Sequence, residues 1–105
     1  MASKRLFGPA QLTAAAATKY TTPAGKKALI RCFHFYNADT SARTVTLSIG
    51  ADAAGTRLLD AYSIPAGSVY DLWGYYELDA AEIIQALADV TLKVTLTIQG
   101  DEDAV

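Results

Sequence analysis

The sequence predicts an all-β fold: a single antiparallel β-sandwich, jelly-roll or immunoglobulin-like, of about eight strands. Three observations carry this. "TLKVTLTIQG" places Leu92, Val94, Leu96 and Ile98 on one side and Thr91, Lys93, Thr95 and Thr97 on the other. "RTVTLSIG" repeats the pattern, with Val45, Leu47 and Ile49 inward and Thr44, Thr46 and Ser48 outward. Strict period-two alternation with Thr on the polar face marks a half-buried antiparallel strand. Turn signals recur at roughly ten-residue intervals, the spacing of a sandwich or barrel. No helical segments alternate with the strands, as a parallel α/β sheet would require.

Taken in order, residues 1–18 suit an N-terminal arm or edge strand, with Gly8, Pro9 and the alanines 14–17. Residues 19–99 form the sandwich and residues 100–105 an acidic tail, "GDEDAV", expected to fray. Two stretches nearly rhyme: "YTTPAGKKALI" from Tyr20 and "YSIPAGSVYDL" from Tyr62. Pro presets φ near −65° at the second position of a turn, and Gly supplies a positive φ at the return to a strand. Each Pro-Ala-Gly is therefore expected to be a hairpin-type connection between extended segments. The flanks differ, Lys26-Lys27 in one and Ser68-Val69 in the other, which favours shared geometry over a duplicated binding motif.

"KKALIRCFHFYN" has no cleanly polar face: Leu29, Arg31, Phe33 and Phe35 alternate with Ile30, Cys32, His34 and Tyr36. It reads as a central strand, or one carrying a bulge that switches faces. "RLLDAYSI" and "SVYDLWGYYEL" are strands by their aromatic and branched content, and Gly74 interrupts the second at a bulge or a close backbone approach. "LDAAEIIQALADV" is ambiguous. Asp79 with Glu82 resembles a helix capping box, and Ile83, Ile84 and Leu87 suit a helical stripe. In a chain otherwise built of strands, a strand is preferred.

Composition narrows the function. The chain has 105 residues, 51% hydrophobic and 19% charged, which suits one globular domain. Its formal charge of −2 and lack of a basic block argue against a dedicated nucleic-acid surface. The apolar run of alanines is far too short for a membrane span, and no signal-peptide core follows Lys4 and Arg5. Synthesis and folding in the cytoplasm are expected. One cysteine, Cys32, completes neither an intrachain disulfide nor a cysteine-based metal site.

Catalytic constellations are weak. "GADAAGT", Gly50 to Thr56, has the glycines and hydroxyl of a phosphate loop but lacks its Lys, carries the repelling Asp52 and opens no helix. A connecting loop is expected. Cys32 and His34 would share one face of a regular strand, but roughly 6–7 Å apart, beyond direct proton transfer. A buried thiol is the expected reading. No His, Asp and Glu have metal-ligand spacing, and neither cofactor nor enzymatic activity is expected. The aromatics Tyr70, Trp73, Tyr75 and Tyr76 are the best contact candidates: core residues, a subunit interface, or a ligand platform.

The run from Tyr20 to Asp71, "YTTPAGKKALIRCFHFYNADTSARTVTLSIGADAAGTRLLDAYSIPAG" and onward, resembles small structural proteins of tailed bacteriophages. The likeness lies in the Tyr, the Thr-x-Pro-Ala-Gly, an Asn near a strand end and Thr-rich strands. Pro23, Gly25, Asn37, Gly50 and Gly67 carry it, and all are turn or strand-end positions. The segment "LDAAEIIQAL" departs from it, since a glycine turn is expected before the strand. The resemblance implies a non-enzymatic virion component, in capsid, neck or tail, that assembles with copies of itself and with other virion proteins. Lys4, Arg5 and Phe7 are then candidate arm contacts, the two cations meeting an acidic partner. The alternative is a carbohydrate-binding adhesion module, which would need exposed aromatics beside polar groups. Only Tyr70 to Tyr76 offers these.

Overall fold

The computed structural model describes residues 4–104. Its strands are β1 (Lys4–Gln11), β2 (Ala17–Thr21), β3 (Lys26–Asn37), β4 (Arg43–Ile49), β5 (Arg57–Ile64), β6 (Val69–Leu78), β7 (Ile83–Ala88) and β8 (Val94–Ala104). They form two four-stranded antiparallel sheets, ordered β1-β8-β3-β6 and β2-β7-β4-β5. Only β4 and β5 are neighbours in both sequence and sheet; every other connection crosses the sandwich. That order is the jelly roll. An immunoglobulin-type sandwich keeps more consecutive strands within one sheet.

The core lies between the sheets. Ile30, Phe33, Phe35, Leu96 and Ile98 of the first sheet meet Val45, Leu47, Leu59, Ile64 and Ile84 of the second, all buried. Each such side chain contributes roughly 1.5–3 kcal/mol by leaving water. The alternation of β4 and β8 survives with two corrections. Leu92 is 55% exposed, in the turn before β8 rather than on its inner face. Thr46 and Ser48, expected to face solvent, are buried. β5 and the link to it cover them: Thr46 Oγ1 accepts from the N–H of Ala61 in β5 at 3.1 Å, and Ser48 Oγ donates to Asp52 of the link at 3.0 Å.

The mixed faces of β3 have both causes foreseen. The strand is central, paired to β6 and β8, and the register breaks at Arg31. Between the Ile30 and Cys32 rungs, β8 advances one step (Gln99 to Gly100), β3 two, and β6 three (Trp73 to Tyr76). Consecutive Arg31 and Cys32 therefore both fall on the outer side, so that Ile30 and Phe33 can both enter the core. Glycines permit the irregularity. A Cβ on Gly100 would lie 2.2 Å from the Leu29 carbonyl oxygen, and one on Gly74 2.9 Å from the Tyr76 ring.

The Pro-Ala-Gly turns join extended segments, but they are not hairpins. They carry the chain from β2 to β3 and from β5 to β6, between opposite sheets. The closing bonds run from Lys26 N–H to Pro23 O and from Ser68 N–H to Pro65 O, each 3.2 Å. Proline is thus the first residue of each turn, and Gly25 (φ +72°) and Gly67 (φ +67°) occupy the third position of a type II turn.

A third copy of this turn hides in "DAAE". Glu82 N–H bonds Asp79 O at 3.0 Å, and Ala81 takes φ +70° where the other two have glycine. It carries the chain from β6 to β7, which is the preferred strand over residues 83–88. The capping-box signal was half real: Glu82 Oε1 accepts from the Asp79 N–H at 2.6 Å, closing a turn instead of opening a helix.

The described parts of the expected arm and tail belong to the sandwich; residues 1–3 and 105 lie outside the described residues. Residues 4–11 are edge strand β1, paired to β8. The acidic residues 100–104, expected to fray, are the second half of β8. They are held because Gly100 fits against β3 and the carboxylates find partners. Asp101 accepts from Arg31 Nε at 2.9 Å, and Glu102 pairs with Lys4 at 2.7 Å and accepts from the Tyr20 hydroxyl.

Candidate functional site

Residues directly opposite in an antiparallel pair share a face of the sheet. The pairing therefore assembles the outer face of β1-β8-β3-β6 in rows. One row is Thr97, His34 and Asp71; the next is Arg5, Gln99, Cys32 and Trp73. Beside them the bulge adds Arg31 and Tyr75. The aromatic candidates separate by parity along β6. Trp73 and Tyr75 point outward and are 68% and 73% exposed. Tyr70 and Tyr76 lie on the inner side against the core, Tyr76 with its ring 5.8 Å from Phe33 and Tyr70 4.4 Å from Tyr62.

Trp73 stands between two open-sided pockets. One, of about 230 Å³, is lined by Cys32, His34, Asp71, Trp73, Thr97 and Gln99. The other, of about 320 Å³, is lined by Arg31, Trp73, Gly74 and Tyr75. The polar groups around the indole are held in place. His34 Nδ1 bonds Asp71 Oδ1. The Arg31 guanidinium is tied to Asp101 and lies 5.2 Å from the Tyr75 ring centroid.

Cys32, His34 and Asp71 do meet, which the strand spacing alone did not foretell. Their order is unsuited to a thiolate nucleophile. The Cys32 sulfur lies 4.0 Å from Asp71 Oδ1. Burial first, and the Asp71 charge second, push the thiol up to about 11. An activated cysteine needs the reverse, a cation beside an accessible sulfur. Among the described residues, no three His, Cys, Asp or Glu side chains converge to hold a metal ion.

The remaining candidates have structural partners. In the Gly50–Thr56 loop, Asp52 holds Arg57 at 2.9 Å and its own N–H donates to Gln85 at 2.9 Å. The hydroxyl of Thr56 turns back to Ala51 O at 2.7 Å, so the loop is closed on itself. Of the supposed arm contacts, Lys4 meets Glu102 within the chain, and Phe7 packs against the core under the Lys19 ammonium. Arg5 stays exposed on the outer face. Sequence reasoning missed Arg31, Asp71, Thr97 and Gln99. The odd-numbered parity of "VYDLWGYYE" was the signal available for Asp71; the other three depend on strand order.

No protein-family model matches the sequence, and no curated protein matches it. Solved structures do share the fold. A chain of the Bacillus endospore appendages, described as disulfide-linked pili, superposes with a TM-score of 0.55 at 10% identity, over 99% of this chain and 88% of that one. A chain in the structure of infectious bursal disease virus, Gx strain, superposes with a TM-score of 0.56 at 8% identity, over 96% of this chain and 32% of that one. At such identities the likeness is one of fold: this chain is an all-β sandwich of an architecture also present in a pilus and in a virus.

Proposed function

We propose that the protein is a non-enzymatic structural subunit, a component of a bacteriophage particle, that assembles with copies of itself and with other virion proteins. The observation that carries this reading is strand β6. It is a ten-residue sheet edge without proline, its pairing to β3 unbroken from Val69 to Trp73, with Val69 exposed. An open edge of this kind is a template for another chain, and repeated assembly covers it. The folds it resembles, in a pilus and in a virus, support the same reading. The pili of that comparison are disulfide-linked. Here the only cysteine is 3% exposed beneath the outer face, so the proposed assembly does not draw on a disulfide through it.

The test is light scattering across a concentration series, with electron microscopy of the concentrated sample. Rings or filaments are expected. Val69→Lys places a charge on the open edge and should weaken assembly at least tenfold. Its effect on stability should stay within about 0.5 kcal/mol, as for other surface changes. A wild-type protein that stays monomeric at every concentration, alone and with capsid, neck and tail proteins encoded beside it, would overturn the reading.

A further inference from the structure

The outer face of the first sheet has features that an assembly edge does not need. Trp73 presents its indole to solvent at the β6 side of the face, between the two pockets. The core of a protein–protein interface is depleted of charged groups. The surroundings of Trp73 are the opposite: Asp71, His34, Arg31, Gln99 and Thr97 ring it. Much of their hydrogen-bonding capacity is unused. The side chains of Gln99 and Thr97 make no hydrogen bond within the described protein. Asp71 uses one oxygen and His34 one nitrogen. The used halves of these pairs fix where the free halves point, which lowers the ordering cost of binding.

We propose that this face binds an oligosaccharide. A sugar ring offers two chemistries at once: a flat face of C–H bonds that stacks on an aromatic plane, and hydroxyls at its edge that both donate and accept. Trp73 and Tyr75 supply the planes. Asp71 accepts, Arg31 donates, and Gln99 and Thr97 do both. Beside the indole Asp101 meets the Arg31 charge and Asp71 Oδ1 is bonded to His34 Nδ1, so no unpaired cation there calls for an anionic sugar and these subsites suit a neutral one. The row from Trp73 through Cys32 and Gln99 ends at Arg5, three strand spacings or roughly 14 Å away. That length takes a short oligosaccharide lying across the strands, with Arg5 meeting its far unit.

Trp73 is the only tryptophan, so fluorescence reads this site and no other. The protein is titrated with trisaccharides of the chito-, malto-, cello- and manno- series and with uronic-acid counterparts. At least one is expected to shift the emission saturably. Calorimetry on that sugar should show binding lost in Trp73→Ala. Gln99→Ala and Tyr75→Ala should each weaken it roughly five- to tenfold, with circular dichroism unchanged. A stronger response to the uronic-acid sugars, reduced by Arg5→Gln, would place the acidic unit at the far end of the row. No response from any member of the panel overturns the proposal. So does an emission that moves to the blue as protein concentration alone is raised, because the face would then be covered by a second copy. The inference does not rest on assembly through the β6 edge: sugar binding can fail in a protein that assembles, and the reverse.

Discussion

The two edges of the first sheet are built to opposite ends. β1 carries Pro9, which has no N–H to offer, and its pairing to β8 shifts register twice, between Arg5 and Phe7 and between Phe7 and Ala10. Its neighbourhood is also sealed across the sandwich, where Tyr20 of β2 and Lys4 of β1 both bond Glu102 of β8. Proline, bulges and charge are the devices by which proteins blunt an edge. β6 has a single register break and no proline. Its outward residues are Val69, Trp73 and Tyr75 among Asp71 and Glu77. In the proposed assembly, a sheet that guards one edge and leaves the other open directs where a partner chain would add.

The sharpest way to break the open side is through the corner that delivers β6. Asn37 is fully buried at the end of β3. Its two amide hydrogens are donated to Ile64 O and Ser41 O, each at 3.0 Å, with Pro65 O at 3.3 Å sharing one of them, and its oxygen accepts from Asp39 N–H at 2.9 Å. Asn37→Ala strands several buried groups and is expected to cost about 3 kcal/mol or more in urea unfolding. A loss below about 1 kcal/mol would show that this corner is held by the turn alone.

The three type II turns form the next series. Gly25→Val and Gly67→Val each force a β-branched residue to a positive φ and should cost about 1–3 kcal/mol. No atom lies within 4 Å of a Cβ added at either position, so the cost is backbone strain and not a clash. The two should match in stability, while only Gly67→Val, beside β6, is also expected to disturb the proposed assembly. Ala81→Gly should stabilise by about 1 kcal/mol, since Ala now bears the left-handed strain that glycine avoids. Destabilisation by Ala81→Gly would count against the shared turn geometry.

The smallest effect is alkaline and separates the sides again. Burial raises Tyr20 above its ordinary value, with the Glu102 bond adding to it, and Cys32 rises to about 11. Both groups fold better in their neutral forms. Their contribution is complete below their unfolded values, roughly 8.5 for thiol and 10 for phenol, and disappears as pH climbs through the folded ones. Tm should therefore fall from about pH 9 upward. Cys32→Ala should remove the earlier part of the fall and Tyr20→Phe the later part. An alkaline limb identical in all three proteins would contradict the assignment.

Much of the fold was legible because it rests on local rules. Period-two alternation located β4 and β8, the aromatic runs located β5 and β6, and glycine marked where φ turns positive. The ambiguity at residues 79–82 was local too: Glu three residues after Asp makes the same side-chain bond in a helix cap and in this turn. The segment beyond Glu82 decides between them, and it is a strand that packs Ile84, Ala86 and Ala88 into the core. Only half of the candidate site was legible. Alternation along β6 separates Trp73 and Tyr75 from Tyr70 and Tyr76 but does not say which pair faces the core.

By itself the sequence determined an all-β sandwich of about eight strands, the positive-φ glycines at 25 and 67, and the irregularity at Gly74; for residues 26–37 it offered a central strand or a bulge, and only the register placed the break at Arg31. Side-chain alternation and backbone sterics act over a few residues, so they are written where they act. The tertiary structure decided that the Pro-Ala-Gly turns cross between sheets instead of closing hairpins, that Gln99, Thr97 and Arg31 gather around Trp73, and that β6 is the open edge. Those outcomes depend on strand order, and strand order is set by long-range pairing between residues far apart in the chain. No local window contains it.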